Sequence, residues 1–188
     1  MSTTPSPNEA QIFDAVWGFV AELVLAYADT PPASLDQIVK GYQNRKAPPQ
    51  GNYVIVRGGE KERFDQARMV VVDGAGGTNP GKVTYQRNTG YRIIIDCYGA
   101  IAPDWADAIS ILWRTPSACD KLAAALPAGT MQPLYADEPQ QLTIVNEEYA
   151  YETRWRCVLH LNVIQTASVS QDFFDKASIV IQAPGDLR

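Results

Sequence analysis

The chain has 188 residues, of which 46% are apolar and 20% charged, and a formal net charge of −5. That length suffices for one domain with its own core, and the acidic balance argues against a broad basic face for gripping nucleic acid phosphates. Cys97, Cys119 and Cys157 lie far apart with no C-x-x-C pair, which argues against a disulfide framework and reads as reduced thiols of a cytoplasmic protein.

The opening MSTTPSPNEA lacks the basic region of a signal peptide. Ser6-Pro7-Asn8-Glu9 predicts a capping box with Ser6 as N-cap. A helix is expected over 7–28, with Ile12, Val16, Phe19, Val20, Leu23 and Tyr27 on one stripe. Asp14 and Glu22 interrupt its apolar segment, which is short for a membrane span of about 20 residues. Leu35, Ile38, Val39 and Tyr42 predict a second, short helix.

After Asn52 the period changes to two, giving strands over 53–57 and 63–73. Residues 73–81 form a glycine-rich loop, and 82–98 a strand with a kink or bulge at Asn88-Thr89-Gly90. The end of that strand, YRIIIDCYG, is apolar on both faces, as a central strand would be. Two helices follow within 103–126. Trp105, Ile109, Leu112 and Trp113 share one side of the first. Thr115 caps the second, Pro116 takes its first position, and Cys119, Leu122, Ala123 and Leu126 form its inner face.

A last long strand is expected over 149–164. Tyr149, Tyr151, Trp155, Cys157, Leu159, Leu161 and Val163 share one face. Glu152, Arg154, Arg156, His160 and Asn162 share the other. The fold class is therefore α/β of the α+β kind: a single domain over 1–188 with a mixed, mostly antiparallel sheet flanked by helices.

Catalytic constellations do not emerge. Gly76, Gly81 and Lys82 reproduce the G-x-x-x-x-G-K spacing of a phosphate cradle. However, position 83 is valine where Mg²⁺ needs a hydroxyl, and the β-forming KVTYQ follows where a helix should open. His160 is the only histidine and reads as a solvated or interface residue, with no serine or cysteine at a sharp turn nearby. The adjacent pairs Asp137-Glu138 and Glu147-Glu148 point to opposite strand faces, so neither converges on one atom. Asp96, inside the central strand, needs a partner if buried; Arg92 or an arginine of a neighbouring strand would serve as a structural ion pair. No catalytic, cofactor-binding or metal-binding residue is assigned.

The strand over 149–164 is long for the chain. At ~3.3 Å per residue it spans about 53 Å, whereas a compact domain of this size is roughly 40 Å across. It must bend, protrude or lie against another chain. Exposed, such a strand is an aggregation hazard, and a closed ring would cover it. The charges of Glu152, Arg154 and Arg156 suit a polar contact between subunits.

Several segments resemble the phage neck or tail terminator proteins of contractile-tailed phages: GYQNRKAPPQGNYVIV, YRIIIDCYG, ILWRTPSACDKLA, QPLYADEPQQLTIVNEEYAYETRWRCVLHLNVIQ and SQDFFDKA. The resemblance implies a virion structural protein without catalysis or cofactor. It implies a ring, usually of six subunits, that caps tail tube and sheath and joins them to the head connector. DNA would pass through the lumen, and assembly would occur in the bacterial cytoplasm. The acidic balance suits that lumen, because fixed cationic contacts would hold the DNA back. Three other readings remain open: a connector or collar subunit in a twelvefold ring, a small nucleotide-binding protein using the loop 76–82, and a monomeric α/β domain with an exposed binding edge.

Overall fold

The computed structural model describes residues 6–26, 37–41, 49–72, 81–127, 129–145 and 151–171. In chain order the elements are α1 (Glu9–Leu25), β1 (Ile38–Lys40), β2 (Tyr53–Arg63), β3 (Arg68–Val72), β4 (Gly81–Tyr98), α2 (Ala102–Leu112), α3 (Pro116–Ala125), β5 (Met131–Ala136), β6 (Gln140–Val145) and β7 (Tyr151–Gln171). This is an α+β fold built on one seven-stranded mixed sheet, ordered β1-β2-β4-β7-β5. β3 extends the outer edge of β4 beyond β2, and β6 extends the outer edge of β7 beyond β5. Among the described pairings β1–β2 is parallel and the rest are antiparallel.

Alternation along the two longest strands decides which face is covered. Tyr91, Ile93, Ile95 and Cys97 of β4 stand opposite Leu161, Leu159, Cys157 and Trp155 of β7. With the exception of half-buried Trp155, these belong to the buried core, together with the apolar faces of the three helices. Trp105 and Trp113 are wholly buried there. Trp113 meets Phe19 edge-on at 5.4 Å, and its Nε1–H donates to the His160 carbonyl at 3.0 Å, so a buried ring keeps its polar atom satisfied.

Several expectations are corrected. The first helix starts at Glu9, with Asn8 as N-cap and a capping box completed by Gln11, rather than at Ser6-Pro7. The Ser6–Pro7 bond is cis, and Ser6 instead forms a bridge with Thr166. Of the expected helix 7–28, positions 27 and 28 lie outside the described residues. The second helix is absent at its core: Ile38–Lys40 pairs with Val54–Val56 as an edge strand. Two adjacent β-branched residues beside an open strand edge favour that pairing over one isolated helical turn.

β4 has no bulge at residues 88–90; its register with β7 is continuous. The irregularity lies in β2, between Gly58 and Lys61. Gly90 has another use, since a Cβ there would come within 2.4 Å of the Phe64 ring. The second strand splits, Arg63 closing β2 and Arg68 opening β3. Most of the loop 73–81 lies outside the described residues. On α3 the inner residues are Ala118 and Leu122, while Cys119 and Ala123 face outward; Leu112 of α2 is also exposed. Thr115 caps α3 as expected, accepting from the Ala118 N–H at 3.5 Å. The final strand is longer than expected, reaching Gln171; the start at 149–150 lies outside the described residues.

Gly99 makes the turn from β4 into α2 with φ +100°, and a Cβ would fall 2.2 Å from Asn52 Oδ1. Both the backbone conformation and the space demand glycine. Gly99→Ala is expected to lower stability by about 1–3 kcal/mol, read as a reduced urea midpoint at unchanged slope.

Candidate functional site

Among the described residues, the helix-free face of the sheet carries a cluster of charges around Asp96. Asp96 of β4 is 1% exposed, and strand register explains which arginines reach it. Arg156 stands directly opposite on β7, Arg154 is one same-face step away opposite Tyr98, and Arg57 of β2 lies diagonally, opposite Ile94. Arg156 Nε donates to Asp96 Oδ1 at 2.9 Å and Arg154 Nε to the same oxygen at 3.0 Å. Arg154 also approaches Oδ2 at 2.9 Å, and Arg57 forms a further ion pair with Oδ2.

Three guanidiniums thus share one carboxylate. Burial draws the Arg154 guanidinium down, but its hydrogen bond and charge contact with Asp96 outweigh this, and its pKa rises. Arg154 also sits 5.6 Å over the Tyr98 ring, which stacks on Tyr53 at 4.4 Å. The pairing expected of Asp96 is therefore found with neighbouring strands. Arg92 pairs with Glu60 instead.

Of the three residues expected at a subunit contact, Arg154 and Arg156 are committed to Asp96 and half-buried. Glu152 lies in β7 opposite Ile144. His160 is not solvated: its ring stacks on Tyr135 at 4.1 Å, and Nε2 lies 3.1 Å from Asp137 Oδ1. Lys82 lies within β4, opposite Val72 and Ser170, so the chain after the glycine loop continues as strand. The helix N-terminus a phosphate cradle requires is absent there. Among the described residues no group of His, Cys, Asp and Glu gathers as a metal site, and no helix is long and apolar enough to cross a membrane.

A second surface is less polar. β4 and β7 stay paired well past the helices, as far as Gly81↔Gln171, and β3 joins them there. On this arm Met69, Val71, Tyr85 and Val169 are 61%, 49%, 42% and 42% exposed. The sequence predicted an overlong strand, but not that β3 and β4 would extend beside it.

With this geometry in view, the sequence model of one protein family, described as phage neck terminator protein, matches residues 10–186. The chain belongs to that family, and so is a structural component of the phage neck. A comparison with curated proteins finds no match.

Replacing Asp96 leaves three clustered guanidiniums without a counter-ion. Asp96→Asn is expected to cost about 3 kcal/mol, the scale for breaking a buried pair from one side, measured by chemical denaturation. Burial also governs the thiols. It pushes Cys97 well above its ordinary 9.0 and Cys157 to about 12, whereas Cys119 is exposed. Both buried thiols stay protonated in the folded chain where unfolded thiols ionise. Their contribution is fully present below pH 9.0 and is lost as the pH climbs towards about 12. Iodoacetamide should label Cys119 alone in the native chain, and urea midpoints should fall above pH 9, less steeply in Cys157→Ala.

Proposed function

We propose that residues 1–188 act as a single domain that closes into a sixfold ring at the head-proximal end of a contractile tail. The ring caps tail tube and sheath, joins them to the head connector, and leaves a lumen for DNA without sequence-specific contacts. Its subunits assemble in the host bacterial cytoplasm and take no cofactor. The neck role comes from family membership over residues 10–186. The observation that carries self-assembly is the arm, whose apolar side chains stand in solvent in the single chain, a cost that a partner would remove.

The polar contact is assigned to Glu152, Arg154 and Arg156. Three guanidiniums around one carboxylate leave an excess of positive charge on the helix-free face, which an acidic group of a neighbour would complement.

Native mass spectrometry, with negative-stain microscopy of the same sample, tests the ring. A sixfold ring with a central hole is expected. A twelvefold ring would move the protein to the connector side of the neck. A single-subunit mass at every concentration would count against self-assembly.

A further inference from the structure

Odd-numbered residues of β4 and β7 face the helices over the core, and the pairing between the strands has no bulge. The same face therefore continues onto the arm. There it carries Val83, Tyr85, Ala167 and Val169, with Met69 and Val71 of β3 in register beside them. Past the polar Arg87↔Gln165 pair it is apolar again, beyond the described helices. An apolar sheet face is ordinarily covered by another layer, and here four of the six side chains are left substantially exposed.

The chain also carries a complementary surface at the other side of its core. Where α1 ends beside α2 and α3, a groove of ≈ 410 Å³ is lined by Phe19, Leu23, Ala26, Ala108 and Leu112 and edged by the Glu22–Lys121 ion pair. Leu112 of its lining is 41% exposed, and Leu25 of α1 and Ile111 of α2 are 37% and 72% exposed. Charge is complementary as well. On that face the arm's described residues bring Arg87 and no carboxylate, whereas α2 and α3 bring Asp104, Asp107 and Asp120 against Lys121.

We propose that the arm of one subunit docks its Met69/Val71/Tyr85/Val169 face onto the α1–α2–α3 groove of a second copy. Two different patches then meet head to tail, the class of contact that generates a ring if the rotation closes. The neighbour's helices continue, over the arm, the layer that the subunit's own helices provide over its core. This rests on the ring proposed above and specifies its seam.

The full chain tests it with two double variants at exposed positions: an arm variant, Met69→Glu with Val71→Glu, and a groove variant, Ala26→Glu with Leu112→Glu. Thermal melting should show both folded near the wild-type temperature. In native mass spectrometry each variant alone should be a single subunit under conditions where the wild type forms rings. Mixed, they should give a 1:1 dimer of both masses and nothing larger, because one intact arm meets one intact groove and both remaining patches are spoiled. An arm variant that still closes rings overturns the inference while the ring stands. A mixture without the dimer overturns the head-to-tail contact. A wild type that never associates fails the ring itself, and the arm's docking to a second copy with it.

Discussion

The ladder between β4 and β7 runs unbroken from Tyr98↔Arg154 to Gly81↔Gln171, and the rest of the molecule is arranged around it. Because the register never slips, each strand keeps one set of side chains on one face throughout. That single condition puts Ile93, Ile95, Leu159 and Leu161 under the helices and places Asp96 against Arg156. A slip of one residue would turn the core face outward and bring Asp96 inside. The remaining strands fill the two outer edges: β2 and β3 share one side of β4, β5 and β6 share one side of β7.

The two faces solve different problems. On the helix side, burial of apolar groups over the core is close to complete, and the polar atom of Trp113 is met by a backbone carbonyl. On the other side no helix among the described residues covers the sheet, yet Asp96 is excluded from water, with the arginines that neutralise it around its carboxylate, and Tyr53 and Tyr98 stack alongside. Such a cluster contributes less net stability than its contacts suggest, because each charge has first been removed from water. The contacts depend on register: the carboxylate meets all three arginines only when β2, β4 and β7 are aligned as observed.

Much of this could be read from the residues. Period-two alternation in β7 and the apolar run ending β4 located the central strands, and Thr115-Pro116 located the start of α3. The partner of Asp96 is legible as an arginine, either Arg92 or one of a neighbouring strand, but not that three come from neighbouring strands and none is Arg92. The misses have physical reasons. Ile38–Lys40 is too short for its period to show, and only the open edge of β2 decides its state. On α3 the small residues Ala118, Cys119 and Ala123 differ little in hydrophobicity, so the stripe could not be placed to within one position. The arm was half legible. The length of the last strand shows that it must bend, protrude or lie against another chain, but pairing of β3 and β4 along it is a long-range contact that local pattern does not encode.

Because β4 and β7 belong to both core and arm, no joint separates the two. A load drawn along the arm would therefore run parallel to the strands, placing many ladder hydrogen bonds in shear so that they must yield together. A sideways load would peel them one after another from the tip. The subunit is stiff in one direction and weaker in another, and the direction in which a neck is pulled when a virion empties would decide which of the two is felt.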